Sequence, residues 1–285
     1  NQAYADMERD FKNAAFMGFP YIQAWGSTFN GACPTYYVPL AERGGEAEFA
    51  RMNREWRAVG GSIGYYFHGN SVGAYYPLSD TYFLTPWKEY PEAQRPKDWD
   101  WYVRNSHYES ESFTLDKGKM LEATREVNAR LRRGEIQGNK YVEGVDNYHP
   151  FSWHTNAFPD FLSNAVREYV ERYGCNTAYL DTFAFYNART SDFSPWLGHH
   201  GEGDKAMYKM RWMAAVEKEF RRLESSFNWI TEGVADVFGT HLSYLLSGFQ
   251  RDANILRYTL PDQVYFLGNC NGMWTEPLSR RSLNH

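Results

Sequence analysis

The sequence alternates helical patterns with short apolar runs, and this alternation restricts the fold more than any other feature. The segments with helical spacing of apolar residues are 2–17, 46–58, 115–134, 159–173 and 204–226. The apolar runs with the length of buried strands are 20–26, 62–69, 140–150, 177–183, 228–233, 242–248 and 263–269. Strands that alternate with helices predict βα units and a parallel sheet.

The fold class expected from this pattern is α/β, in the form of a (β/α)₈ TIM barrel. Continuous apolar strand cores favour a barrel over an open doubly wound sheet. No glycine-rich phosphate-binding motif follows the first predicted strand, which argues against a nucleotide-binding fold. Seven strands are predicted rather than eight, so we expect a single barrel domain over residues 1–285 that is incomplete at its termini and belongs to a longer or processed protein.

Charge and hydropathy argue against two classes of partner. The chain has 30 Lys and Arg against 35 Asp and Glu, a net charge of −5, and no long basic block, so nucleic-acid binding is disfavoured. No apolar run approaches the roughly 20 residues that span a bilayer, and no signal-peptide pattern opens the chain, so no membrane partner is expected. The sequence does not determine the cellular compartment, although it slightly favours a secreted or periplasmic location over the cytoplasm.

One acid interrupts the apolar and aromatic run NTAYLDTFAFYN at 176–187. A carboxylate is costly to bury without a partner or a task, and Asp181 lies where a buried strand is predicted to end. Glu232, in NWITEG at 228–233, ends the next predicted strand. Barrel enzymes carry their catalytic groups at these strand ends. Two carboxylates at one cavity suit glycosidic cleavage, because one can attack or stabilise the anomeric carbon while the other protonates the leaving oxygen.

Both acids also have a structural interpretation, as partners of a nearby arginine (Arg189, Arg251 or Arg257) or as helix caps. The aromatic content of 18% favours a catalytic role for the two acids, because many aromatic rings fall in polar loop-like sequence such as 85–109 and can stack on sugars. The candidate substrate-binding residues at other strand ends and adjoining loops are Trp25, His68, Asn147, His149, Trp153, His154 and Asp236. Core packing, loop hydrogen bonding or, for Asp236, a helix N-cap would also explain them.

The motifs YLDTF at 179–183 and ITEG at 230–233 resemble the retaining α-glycosidases of the α-amylase-like barrel group. They resemble more nearly the barrels of endo-α-N-acetylgalactosaminidases and their uncharacterised bacterial relatives. The resemblance runs from about residue 18 to 270. It implies that Asp181 is a nucleophile ending the fourth strand and that Glu232 is the general acid/base ending the fifth. Tyr179 stands where the α-amylase group usually has an arginine, and Asp262 is a loose counterpart of that group's third acid.

The function expected from the sequence is retaining hydrolysis of an α-linked oligosaccharide or polysaccharide, without a cofactor and without a metal. One alternative is a non-catalytic carbohydrate-binding barrel, which would keep the aromatic surface but would not need both acids. Another is a metal-dependent hydrolase, whose ligands would be His149, His154, Asp181 and His199. The sugar, the choice between endo and exo cleavage, and the oligomeric state are left open.

Overall fold

A computed structural model gives the fold. It describes residues 3–18, 21–24, 37–69, 71–72, 133–135, 149–150, 153, 157–184, 203–232, 241–242, 244–247 and 264–267, and positions 118, 121–122, 125–126 and 129–130. The helices with full bounds are α1 (Tyr4–Phe16), α2 (Gly45–Ala58), α3 (Ala157–Tyr173) and α4 (Gly203–Leu223), and a short 3₁₀ turn covers Ala41–Arg43. The strands are β1 (Tyr21–Ala24), β2 (Ser62–His68), β3 (Ser71–Val72), β4 (His149–Pro150), β5 (Thr177–Asp181), β6 (Asn228–Glu232), β7 (Tyr244–Ser247) and β8 (Val264–Leu267).

Six of these strands form one sheet in the order β1-β2-β5-β6-β7-β8, and every neighbouring pair is parallel. The remaining strands, β3 and β4, pair antiparallel in a separate ribbon. The order of the six strands follows the chain without reversal. The α/β class and the parallel sheet are therefore confirmed. The helices predicted at 2–17, 46–58, 159–173 and 204–226 and the six sheet strands lie within a few residues of their observed bounds, whereas the helix predicted at 115–134 lies largely outside the described residues.

The predicted place of the 140–150 segment in the sheet, between the second and fourth predicted strands, was wrong, and residues 140–148 lie outside the described residues. β2 and β5 are hydrogen-bonded neighbours, so no strand lies between them. The described end of that segment, His149–Pro150, pairs with Ser71–Val72 instead. Asp181 consequently ends the third strand of the described sheet in chain order, and Glu232 ends the fourth.

The helices α2, α3 and α4 pack on the same face of the sheet. On β2, the Tyr65 ring lies 4.8 Å from Phe49 of α2 and 6.0 Å from Tyr169 of α3. On β6, the Trp229 ring lies 5.1 Å from Phe220 of α4. The register places Tyr65 opposite Ala178 and Ala178 opposite Trp229, so these residues share one face. Because strand side chains alternate, Tyr66, His68, Tyr179 and Asp181 lie on the other face.

Local signals explain how α3 leads into the strand that carries Asp181. Pro159 lies in the first turn of α3, where its missing N–H costs no hydrogen bond. Gly174 follows the helix with φ 70°, a conformation that favours glycine, and its N–H donates to the Val170 carbonyl at 3.1 Å. The chain then enters β5 at Thr177. Among the described helices, none combines the length and the apolarity that a membrane crossing needs.

Candidate functional site

Asp181 is the last residue of β5, and only 6% of its surface is exposed. Its Oδ2 accepts a hydrogen bond from the Tyr66 hydroxyl at 2.7 Å. Its Oδ1 accepts a longer one, at 3.3 Å, from the Tyr179 hydroxyl. The His68 Nε2 lies 3.6 Å from Oδ2, a distance of ion-pair contact rather than of a hydrogen bond. The carboxylate predicted to carry the chemistry is thus buried and has polar groups on both oxygens.

The sheet register brings these four side chains together. Tyr66 lies opposite Tyr179, and His68 lies opposite Asp181. Tyr66 and His68 are two positions apart on β2, and Tyr179 and Asp181 are two positions apart on β5. All four side chains therefore emerge on one face of the sheet. Neither Tyr66 nor Tyr179 was predicted from the sequence to contact Asp181. The available signal was that each precedes a predicted site residue by two positions and therefore shares its face.

His68 is held through its backbone as well as its side chain. Its N–H donates to the hydroxyl of Tyr37 at 2.7 Å, and only 5% of the residue is exposed. The imidazole carries a positive charge only when protonated, and in that state it would attract the Asp181 carboxylate. His68, predicted as a substrate-binding residue, is in any case a direct neighbour of Asp181.

Glu232 is the last residue of β6, the strand next to β5. Leu180 lies opposite Thr231, so Asp181 and Glu232 occupy the next position along two adjacent parallel strands. Neighbouring strands are about 4.8 Å apart in the hydrogen-bonding direction. The Thr231 hydroxyl reinforces this junction, since it donates to the Leu180 carbonyl at 3.0 Å and accepts the Ala184 N–H at 3.2 Å. The backbone positions of the two predicted catalytic acids are therefore level at one edge of the sheet.

Trp153 lies in the core, with 2% of its surface exposed. Its ring centroid is 5.5 Å from those of Phe158 and Phe183 and 5.2 Å from that of Trp212. These contacts are with protein rings, and stacking of Trp153 on a sugar stays a prediction.

The structure describes the backbone of His149, which lies in β4 opposite Val72. The other residues singled out from the sequence lie outside the described residues: Trp25, Asn147, His154, Arg189, His199, Asp236, Arg251, Arg257 and Asp262. In the described part of the chain, no group of three or more His, Cys, Asp or Glu side chains could hold a metal ion.

Hydrogen-bond donors surround the buried Asp181 carboxyl group. Burial of a negative charge is unfavourable unless hydrogen-bond donors offset the lost hydration. Two tyrosine hydroxyls can supply such bonds to the two oxygens. A buried, oriented carboxylate at the carboxyl end of a parallel strand can stabilise a developing positive charge or attack an electrophilic carbon.

Comparison of the fold with solved structures finds glycoside hydrolases. Two structures of the alpha-N-acetylgalactosaminidase NagBb from Bifidobacterium bifidum match with a TM-score of 0.50. The complex with Gal-NHAc-DNJ is 13% identical over 88% of this chain and 32% of that chain, and the ligand-free form is 14% identical over 92% and 34%. An alpha-amylase from Geobacillus thermoleovorans, complexed with acarbose, matches with a TM-score of 0.47 at 12% identity over 86% of this chain and 45% of that chain.

The chain therefore spans about a third of the length of NagBb and less than half of the length of the amylase. At these identities, the likeness to NagBb is one of fold. No family model matches the chain, and no curated protein matches its sequence.

Proposed function

We propose that this chain is the catalytic barrel of a retaining glycoside hydrolase that cleaves an α-linked glycan. Asp181 is the nucleophile in this proposal, and Glu232 is the general acid/base. The observation that carries it is the buried Asp181 carboxylate, with tyrosine hydroxyls on both oxygens, at the same level as the backbone of Glu232 on the next strand.

In the first step, an Asp181 oxygen forms a bond to the anomeric carbon while the proton of Glu232 passes to the departing glycosidic oxygen. In the second step, Glu232 takes a proton from water, and that water displaces Asp181 from the sugar. The mechanism requires the two carboxyl groups about 5–5.5 Å apart in one cavity. The adjacent positions of the two residues along β5 and β6 support this arrangement.

The proposed architecture is a closed (β/α)₈ barrel whose interior holds the site. Two observations support it. The strand order follows the chain without the reversal that creates the crevice of a doubly wound sheet. The helices α2, α3 and α4 also cover a single face, whereas a doubly wound sheet is covered on both faces.

Sugars with an α-linked N-acetylgalactosamine are the first substrates to test, since an alpha-N-acetylgalactosaminidase shares the fold. The test measures release of 4-nitrophenol from 4-nitrophenyl N-acetyl-α-galactosaminide and from the corresponding α-glucoside. We expect Asp181→Asn to lower kcat/KM by at least about 10³-fold, because it removes the nucleophile. We expect Glu232→Gln to lower kcat by about 10²- to 10⁴-fold, because hydrolysis of the covalent intermediate loses its base, whereas 4-nitrophenolate is a good leaving group and needs little help from an acid. Asp160→Asn, at an exposed carboxylate in the first turn of α3, serves as the matched control and should keep full activity.

Azide separates the two proposed roles. In Glu232→Ala, azide should restore turnover and yield the α-glycosyl azide, because a small anion can attack the covalent intermediate where no base activates water. In Asp181→Ala, azide should instead replace the nucleophile directly and yield the β-anomer. Binding of sugar without hydrolysis by the unaltered protein would replace this proposal with a carbohydrate-binding barrel, and loss of activity with a chelator would favour a metal-dependent hydrolase.

A further inference from the structure

A buried lysine contacts the turn that follows Asp181. Lys209 lies on α4 with 2% of its surface exposed, and its Nζ donates to the carbonyl oxygen of Phe183 at 2.6 Å. The ammonium also lies 5.0 Å from the ring centroid of Phe183 and 5.7 Å from that of Trp153. Both rings present electron-rich faces that favour a cation. Because burial of a lysine is costly, such a residue calls for an explanation.

The turn itself is strained at the residue next to Asp181. Thr182 has φ 55°, and among the described residues it is the only one other than glycine with a positive φ. Branched side chains at Cβ rarely adopt this conformation, which persists where surrounding contacts enforce it. Since Asp181 and Thr182 share a peptide bond, the conformation of Thr182 determines how the end of β5 meets the turn.

Two neighbouring strands hold the same turn. The N–H of Gly69, just after β2, donates to the Asp181 carbonyl at 2.8 Å, and a Cβ on Gly69 would lie 2.6 Å from the Cβ of Phe183. From β6, the Thr231 hydroxyl accepts the N–H of Ala184. Lys209 adds a third contact, because it donates to the carbonyl of Phe183, which lies between Asp181 and Ala184 in the chain.

We propose that Lys209 is a positioning residue, which holds the 182–184 turn in its strained conformation and thereby fixes the Asp181 carboxylate for reaction. The part that concerns reaction rests on the proposed function, whereas the hold on the turn does not. Lys209 makes no contact with substrate in this proposal. Its ammonium acts on the Phe183 carbonyl and through it on the backbone of Thr182 and Asp181.

A double-mutant cycle in urea tests the hold on the turn without any ligand. Lys209→Met keeps the length of the side chain but removes the ammonium, and Thr182→Gly lets the backbone adopt φ 55° without steric hindrance. We expect Lys209→Met alone to lower the folding equilibrium constant about 10- to 100-fold. The loss should be at least about fivefold larger when Thr182→Gly is also present, because the strained turn at Thr182 can relax once the ammonium is gone, whereas glycine at this position has no strain to release. Additive effects of the two substitutions would overturn the proposal.

Kinetics on the two 4-nitrophenyl α-glycosides test the consequence for reaction. We expect Lys209→Met to lower kcat at least about 10-fold with KM changed less than about threefold, because orientation rather than binding is lost. Lys209→Arg should recover most of kcat, since a guanidinium can also donate to the carbonyl. Lys218→Met, at an exposed lysine on the same helix, is the matched control and should be unchanged.

The unfolding and kinetic experiments test the role of Lys209 and the proposed function independently. Inactivity of the unaltered protein on every probe would remove the proposed function, while the unfolding cycle would still decide whether Lys209 holds the turn. A folded Lys209→Met protein with unaltered kcat would remove the positioning role from an active enzyme.

Discussion

Two tyrosine hydroxyls shape the surroundings of Asp181. Tyr66 reaches the carboxylate from the neighbouring strand, while Tyr179 reaches it from the same strand, two positions earlier. The shorter bond, at 2.7 Å, is the one from Tyr66. Hydrogen bonds to a charged group contribute about 1.5–3 kcal/mol each, more than bonds between neutral groups. Tyr66 is therefore the stronger of the two hydrogen-bond donors that orient Asp181.

Tyr66→Phe tests that contribution. We expect a loss of about 1–3 kcal/mol in the free energy of unfolding and a fall in kcat of about 10- to 100-fold on the 4-nitrophenyl α-glycosides, because the buried carboxylate loses a donor. Urea denaturation and initial rates measure the two effects.

Tyr65→Phe is the matched control for this substitution. The Tyr65 hydroxyl donates to Asn53 Oδ1, also at 2.7 Å, but on the face that packs against α2. The control should lose stability and keep kcat. Equal losses of activity in both variants would show that Tyr66 acts through stability alone.

At the scale of helices and strands, Arg57 links α2 to the residues that directly follow α3 and α4. Arg57, in the last turn of α2, donates to the Gly174 carbonyl at 3.1 Å and to Glu224 Oε2 at 2.6 Å. Burial raises the pKa of Glu224, but hydrogen bonds from Ser226 and Arg57 outweigh it, so the pKa lies below its ordinary value of 4.5. The folded protein therefore binds a proton at Glu224 less readily than the unfolded chain does.

This shift predicts how Glu224→Gln changes the pH dependence of stability. The contribution of the Glu224 carboxylate is fully present above its ordinary pKa and is lost as the pH falls through the lower pKa of the folded state. We expect the substitution to cost about 1 kcal/mol near neutral pH, and this difference from the unaltered protein to shrink on acidification to about pH 3. Urea titrations at a series of pH values measure it.

Glu135→Gln provides the comparison for that series. A hydrogen bond from Arg133 lowers the pKa of Glu135 too, but both side chains are exposed and solvent screens them. Stability should be the same with and without this substitution at every pH. A constant difference for Glu224→Gln across the whole series would contradict a role for its charge.

The prediction of four helices and of the six sheet strands succeeded because periodicity and turn residues are local signals. The helix predicted at 159–173 begins two residues earlier, at Ala157, and ends at Tyr173, before Gly174. The predicted place of the 140–150 segment in the sheet failed for the opposite reason. The apolar pattern of this segment suits a strand, but the partner of a strand depends on contacts that are distant along the chain.

For the whole molecule, Cys175 offers a probe of cooperative unfolding. It lies between α3 and β5 with 3% of its surface exposed, and burial raises the pKa of its thiol well above the ordinary value, an effect partly offset by Arg57. A protonated, buried thiol does not react with disulfide reagents. Modification of Cys175 should therefore require that the surrounding core opens.

The test uses a variant with Cys33→Ser and Cys270→Ser and an aromatic disulfide reagent at about pH 8, where an exposed thiol is partly ionised. We expect labelling of Cys175 at least about 10³-fold slower in the native protein than in concentrated urea. Thr177→Ala changes a neighbouring buried residue and serves to check that labelling follows stability. Rapid labelling of the native protein would show that this end of the sheet opens locally.

The sequence by itself determined the alternation of helices and strands, the parallel sheet, and two acids at the ends of consecutive sheet strands. These follow from local periodicity and from the rule that parallel strands share one carboxyl edge. Only the tertiary structure decided that β2 pairs with β5, which brings Tyr66 to Asp181 across 115 positions, and that α4 delivers Lys209 to the turn after Asp181. The physical reason is that a hydrogen bond between distant residues depends on register and helix placement, which the packing of the whole core sets.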